Sequence, residues 1–265
     1  MTGPAGDPPR GPPADSRERA AALARLPARD AARLLAAEPA GRAAELVDLL
    51  PPAHLASLVQ HLPDESIVLL LGEADLGSVR RLETVLDTLP EDRWAGLVAA
   101  VAAGSPDVVA AGLGLLSRVR AGTLTRLLAG AMGLSDAALG DLIRGAIAGT
   151  ALPDLLSLVR HLGQAERGRI ASLPELADPA VLSAVVAGTT ECGRWGDLLP
   201  LLPLLPDTNR AAVAALVTAM DDQTLRAVIT AARRHRQWRS LLTLAPAMPL
   251  AGVRRLLAFA ARSAS

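Results

Sequence analysis

The stretch that decides the fold runs from Pro27 to Ala74 and divides at its prolines into four blocks of twelve: PARDAARLLAAE, PAGRAAELVDLL, PPAHLASLVQHL and PDESIVLLLGEA. Pro27, Pro39, Pro51 and Pro63 head them. The fifth position holds Ala31, Ala43, Leu55 and Ile67, the eighth Leu34, Leu46, Leu58 and Leu70, and the ninth Leu35, Val47, Val59 and Leu71. Positions five, eight, nine and twelve are i, i+3, i+4 and i+7, one face of a helix. Proline lacks an N–H that a first helical turn leaves unsatisfied anyway, and it pushes the residue before it out of the α region. Each proline therefore ends one helix and opens the next. About ten helical residues span ~15 Å, and a helix that short persists in water only by burying its stripe on neighbours. The blocks predict a stack of short helices, the logic of a helical-repeat protein.

Outward from this stretch the pattern continues with drift. Asp75 to Leu86 repeats it with Val79 and Leu82, and PEDRWAGLVAAV (Pro90 to Val101) with Trp94, Leu97 and Val98. Near the C-terminus PLAGVRRLLAFA (Pro249 to Ala260) places Val253, Leu256 and Leu257 in the same register. Between them, Ser105-Pro106-Asp107, Ser135-Asp136, Leu152-Pro153-Asp154, Asp178-Pro179 and Pro206-Asp207-Thr208 are helix-start signals at wider, irregular spacing. They suit helices of about 11 to 14 residues. No stretch alternates as a strand does. The expected fold is all-α, a right-handed α-solenoid or superhelix of roughly sixteen to eighteen short helices. Three parts are expected: a Pro/Gly-rich disordered tail over 1–14, the twelve-residue blocks over 15–103, and a more divergent helical-repeat continuation over 104–265 with a basic end.

Composition closes several function classes. All 27 basic residues are Arg, set against 27 acids; there is no Lys and no Tyr, and Phe259 and Cys192 are single. Without lysine there is no P-loop lysine, no Schiff base and no pyridoxal phosphate anchor. One thiol makes no intrachain disulfide, zinc cluster or CxxC pair, so a reducing cytoplasm is the expected compartment. Apolar residues make up 51% and mean hydropathy is +0.31, which raises the question of membrane insertion. Stretches free of Arg, Asp and Glu, such as Ser240 to Val253 and Trp94 to Pro106, stay short of the ~20 residues a spanning helix needs, and both contain proline. The N-terminal MTGPAGDPPRGPPAD has no apolar core to serve as a signal sequence.

The phrases LPARDAARLLAAEPAGRAAELVDLL and LPPAHLASLVQHLPDES are tandem LP-x-x-x-A-x-x-L-L-x-x-L blocks. Over roughly residues 24 to 103 they resemble the cytoplasmic N-terminal domain of MgtE-type magnesium channels, and similar short-helix stacks occur in flagellar motor switch proteins. The resemblance implies a right-handed superhelix that, in the channels, stands ahead of CBS domains and a pore and helps sense intracellular Mg²⁺. No membrane span and no α/β segment of CBS type is read in this sequence. What the resemblance implies here is regulation or interaction linked to magnesium homeostasis, not transport.

Candidate sites divide by charge. Asp64, Glu65, Glu91 and Asp92, with Glu73 and Asp75, are the oxygen ligands a Mg²⁺ site could draw on. The competing reading is that acids just after proline cap free N–H groups and complement the helix dipole. His54 and His61 share a helix face, but about 10 Å apart, too far for one ion, and are expected to face solvent. His161 and His235 have no partner at motif spacing, Cys192 reads as an idle thiol, and Gly112-Leu113-Gly114 as close helix packing. Residues 1 to 100 carry 10 Arg and 15 acids, 101 to 207 carry 8 and 10, and 208 to 265 carry 9 and 2. Within the basic end AARRHRQWRS sets Arg233, Arg234, Arg236 and Arg239 around Trp238. That is either a solvated helix C-terminus or a surface for phosphate, nucleic acid or an acidic protein groove. Acidic and basic ends also allow head-to-tail self-association. No nucleophile and base pair emerges. The expected function is a non-enzymatic cytoplasmic scaffold or regulatory protein–protein interaction module without cofactor, Mg²⁺ apart; the alternative is nucleic-acid or polyanion binding through the arginine cluster.

Overall fold

The structure is a computed structural model that describes residues 14–262, all of whose regular elements are helices. The tail expected at the N-terminus lies outside the described residues, apart from Ala14, which opens α1 (Ala14–Leu23). The proline grid then gives α2 (Ala28–Ala36), α3 (Ala40–Leu49), α4 (Pro52–Val59), α5 (Asp64–Glu73), α6 (Leu76–Leu86) and α7 (Glu91–Ala103). Pro27, Pro39, Pro51, Pro63 and Pro90 stand one place earlier than expected, at the N-cap, with ψ between 140 and 158°. The ring-fixed φ suits this extended position, and the first four carbonyls still accept the opening helical bonds, from Ala31, Ala43, Leu55 and Ile67 at 2.9 to 3.1 Å. In the four proline blocks the fifth, eighth and ninth positions are buried with one exception. Leu34 is 54% exposed, because α2 packs through Ala31, Ala32 and Leu35 on α3 and α4, and no described element covers its other side.

Beyond α8 (Pro106–Leu115) the helices are α9 (Ala121–Gly133), α10 (Asp136–Ala148), α11 (Leu152–Leu158), α12 (Gln164–Ala171), α13 (Pro179–Glu191), α14 (Trp195–Leu198), α15 (Asp207–Ala219), α16 (Asp222–Arg234), α17 (Trp238–Leu242) and α18 (Leu250–Arg262). The spacing expected to be irregular has an order of its own. Helices α10, α13 and α16 begin at 136, 179 and 222, α11, α14 and α17 at 152, 195 and 238, and α9, α12, α15 and α18 at 121, 164, 207 and 250. Every step is 43 residues, a length that suits a three-helix repeat. Residue roles recur with it. Ser135, Asp178 and Asp221 cap α10, α13 and α16, accepting from Ala138, Ala180 and Thr224 N–H at 3.2, 2.8 and 2.9 Å. The same three helices are followed by a left-handed residue, Thr150, Gly193 and Arg236, at φ 56, 67 and 57°. The next N–H donates five residues back, Ala151 to Ala146, Arg194 to Thr189 and Gln237 to Ala232, at 2.8, 3.0 and 2.7 Å, closing a Schellman turn.

These caps carry two checkable consequences. Ser135→Ala should lower stability by about 1 kcal/mol, read by urea unfolding. Asp221 and Asp75, the cap of α6, have carboxyls held below the usual aspartate range, first by the N–H of Thr224 and Ser78 and then by the same residues' hydroxyls. A folded pKa below the unfolded one means stabilisation that is complete above the unfolded pKa and lost as pH falls through the folded one. Melting temperature should therefore drop below about pH 4, and Asp221→Asn, which keeps an acceptor but cannot titrate, should make that drop shallower.

Packing runs mostly to second and third neighbours: α1 on α3, α2 on α4, α3 on α5, α5 on α7 and α8, α7 on α9 and α10, α13 on α15, α16 on α18. The core is correspondingly strung along the chain, one cluster from Ala20 to Leu115, another from Leu139 to Phe259, and a smaller one around Val109 and Ala146 between them. Among the described residues no helix follows α18, and one stripe position there is uncovered. Leu257, expected on the buried stripe, is 49% exposed, whereas Ala171 and Ala214, at the same place in the two preceding repeats, are 0% exposed.

Candidate functional site

Each helix leaves carbonyls unsatisfied at its C-terminal end, and in this chain arginines from later helices fill many of them. Arg169 of α12 donates to the carbonyls of Met132 and Leu134 at 2.5 and 2.6 Å and to Asp136 at 2.7 and 2.9 Å. Arg255 of α18 repeats the arrangement on Thr218 O at 3.2 Å and Asp222 at 2.6 Å. Arg126 of α9, 43 residues before Arg169, pairs with Asp87 at 3.5 Å and Glu91 at 3.8 Å. In the proline blocks Arg81 reaches the carbonyls of Asp48 and Leu50, Arg93 that of Leu62, and Arg118 those of Gly72 and Ala74. A planar guanidinium presents several donors in a fixed fork, so it can hold two carbonyls, or a carbonyl and a carboxylate, at once; an ammonium is a point charge. Much of the arginine is thus committed to stitching one helix end to a later helix. Sequence reading missed these contacts, since their partners are backbone atoms.

Of the acids considered for Mg²⁺, Asp64, Glu65, Glu91 and Asp92 sit in the first turns of α5 and α7, Glu73 ends α5 and Asp75 caps α6, and they are not gathered at one point. Asp64 pairs with Arg93 at 2.9 Å, Glu91 with Arg126, and Glu65 and Asp92 are exposed. Among the described residues no group of three or more His, Cys, Asp or Glu is placed to hold a metal ion. Of the histidines, His61, His161 and His235 are exposed. His54 departs from the expectation, being half-buried with Nε2 enclosed and without a hydrogen-bond partner. The His235 ring lies on Gly196, where a Cβ would come within 2.4 Å of it, so a side chain at 196 would have to displace the exposed ring. Cys192 is half-buried, its Sγ 3.6 Å from Thr189 O. Gly112 packs against Val101, with room for no Cβ, while Gly114 meets nothing within 4 Å.

The arginine cluster divides in three dimensions. Arg233 faces inward and donates to Ala260 O, tying α18 to the end of α16. Arg234, Arg236 and Arg239 are exposed around the turn that leads into α17, with no carboxylate partner among the described residues. Trp238 is half-buried at the repeat position that Leu152 and Trp195 occupy fully buried. Nearby, Arg226 lies 5.2 Å over the Phe259 ring. The opposite end of the chain is not acidic: α1, α2 and their flanks, residues 14–37, carry five Arg (17, 19, 25, 29, 33) and three acids (15, 18, 30). The acid excess of the first hundred residues lies within α3 to α7, not at a terminus of the stack.

No family model, curated protein or solved structure matches this chain. Among the described residues, no helix is long and apolar enough to cross a membrane. The exposed arginine turn offers charge and hydrogen-bond donors for binding, with exposed His235 beside them.

Proposed function

We propose that this protein is a non-enzymatic scaffold of the cytoplasm, a right-handed α-solenoid whose successive helices present an extended surface to a protein partner. The observation that carries the reading is the 43-residue recurrence of caps, turns and buried positions from α9 to α18. Repeats that each contact mainly their neighbours build long surfaces rather than a single enclosed pocket, and such surfaces suit extended partners. The resemblance of residues 24 to 103 to the cytoplasmic domain of MgtE-type channels supports the same class, and it is the ground for proposing a partner linked to magnesium homeostasis. Affinity capture from the source organism's lysate, followed by cross-linking and mass spectrometry, tests the reading. A partner that survives molar salt and cross-links across several successive repeats supports it; only salt-labile, single-point contacts would reject it.

A second reading rests on one observation, the three unpaired arginines of the α16–α17 turn, Arg234, Arg236 and Arg239. They would hold the phosphates of a nucleic acid or another polyanion. Binding to duplex DNA, followed by fluorescence anisotropy, should then weaken steeply with salt. Replacing all three with Ala should reduce the log–log salt slope by about 2 to 3. Binding that ignores salt, or none at low salt, sinks this reading.

A further inference from the structure

The 43-residue repeat supplies its own controls. Leu152, Leu156, Val159, Leu162 and Ala171 in one repeat, and Trp195, Leu199, Leu202, Leu205 and Ala214 in the next, are all buried. Their counterparts in the last repeat open together: Trp238, Leu242, Ala245 and Met248 are half-buried, and Leu257 is 49% exposed. What is uncovered is a layer, not one side chain.

Packing identifies the layer. Segments 152–161, 195–204 and 238–247, ten residues each, hold one place in successive repeats. The second lies on the first and against α12, the third on the second and against α15. Ala171 and Ala214 belong to the two helices so covered. Among the described residues no fourth segment lies on 238–247 and against α18.

This outer place differs from the inner ones in shape and in charge. Leu257 stands where the inner copies have alanine, so an identical further segment would be overpacked, and the occupant needs a small residue or a notch there. Arg234, Arg236, Arg239 and Arg254 are exposed, with no carboxylate partner among the described residues. One repeat earlier their counterparts are Glu191, Gly193, Gly196 and Ala211, and two repeats earlier Ala148, Thr150, Pro153 and Gly168, none of them basic. Gly196, the counterpart of Arg239, is the residue on which the His235 ring of the following repeat lies. Arg239 therefore stands at the edge that a further layer would reach across. Residues 208–265 hold two acids, both engaged: Asp221 caps α16 and Asp222 pairs with Arg255 at 2.6 Å. Neutralising charge has to come from the occupant.

Two occupants suit the face poorly. A second copy of this chain brings either the same arginines or α1 and α2, whose region carries five Arg and three acids. A phosphate backbone would engage the guanidiniums and leave the apolar strip in water. We propose that the face formed by 238–247 and α18 docks one acidic amphipathic helix of a partner protein, about ten residues or ~15 Å long. Its apolar side chains lie on Trp238, Leu242, Met248 and Leu257, and its carboxylates on Arg239 and the neighbouring arginines. Tryptophan and arginine are the anchors that most often dominate such interfaces. The inference rests on the scaffold reading and adds where the partner docks and with what chemistry.

The probe is a fluorescent peptide on the pattern of 192–204 that keeps Trp195, Leu198, Leu199, Leu201 and Leu202 at their spacing, with glutamate and glutamine elsewhere. A twin carries lysine for glutamate. Anisotropy should show saturable binding of the acidic peptide and none of its twin at equal concentration. In the isotope-labelled chain the acidic peptide should shift one indole N–H resonance, the one missing from Trp238→Phe. Leu257→Glu and Arg239→Glu, both at exposed positions, should each weaken binding about tenfold. Leu34→Glu, at the exposed leucine of α2, should leave it unchanged. Equal binding of the two peptides, or affinity indifferent to Leu257→Glu and Arg239→Glu, would overturn the proposal. So would duplex DNA that displaces the peptide in a contest Leu257→Glu does not alter, or self-association of the chain that Leu257→Glu removes. Absence of acidic-peptide binding overturns the docking site as well; a lysate partner that still cross-links along successive repeats would then leave the scaffold reading standing without it.

Discussion

Trp195→Ala should cost about 3 to 5 kcal/mol, the range for emptying a large buried aromatic site. Trp195 is 1% exposed and belongs to the core shared by α11, α13, α14 and α16. Trp238 occupies the same place 43 residues later but is only half-buried, because no further repeat among the described residues lies against it. Trp238→Ala should therefore cost less, about 1 to 2 kcal/mol by the smaller area it buries. A third variant separates volume from polarity. The Nε1 of Trp195 is enclosed without a partner, so Trp195→Phe removes an unsatisfied donor along with some volume and should cost less than 1.5 kcal/mol. Because repeat arrays need not unfold in one step, urea melts by circular dichroism should be paired with hydrogen exchange. Protection is expected to fall in α13 to α18 and to persist in α3 to α5. Equal costs for Trp195→Ala and Trp238→Ala would show that the two positions are not the inner and outer copies of one repeat site.

The proline blocks were legible because identity and role coincide there: the same residue type marks each start, and Leu or Val fills the eighth and ninth places. After residue 104 role and identity part company. The cap is Ser135, then Asp178, then Asp221; the left-handed turn residue is Thr150, Gly193 and Arg236; the first residue of the short middle helix is Leu152, Trp195 and Trp238. No one residue type holds all three copies of a role, so the separate start signals at Ser135 and Asp178 could be read while the 43-residue order joining them was not. The arginine cluster shows a similar limit. In sequence Arg233 belongs with Arg234, Arg236 and Arg239, but one residue along a helix is a rotation of about 100°, enough to turn it from solvent toward the carbonyl of Ala260. Leu257 misled for a different reason. Its register is that of a buried stripe, and burial needs a following helix that a periodicity argument cannot supply.

The consequence for stability is sharpest at Arg169. Arg169→Ala should lower stability by about 2 to 3 kcal/mol, since it leaves two helix-end carbonyls and a carboxylate without their charged donor. In a chain of this size that corresponds to a fall in melting temperature of roughly 5 to 10 °C. The carbonyls of Met132 and Leu134 belong to the end of α9 and the turn after it, and Asp136 to the first turn of α10, so one side chain fixes the path between two repeats. Arg169→Lys distinguishes charge from geometry. An ammonium can pair with Asp136 or reach one carbonyl, but it cannot do all three in the plane of a fork, and about half of the loss should remain. Asp136→Asn removes the ion pair while sparing both carbonyl bonds, and should cost under about 1 kcal/mol because that pair is partly exposed. If Arg169→Lys were as stable as the native chain, the exclusive use of arginine would have no basis in this contact. If Arg169→Ala and Asp136→Asn cost the same, the surface ion pair, not the carbonyl capture, would be what holds the repeats in register.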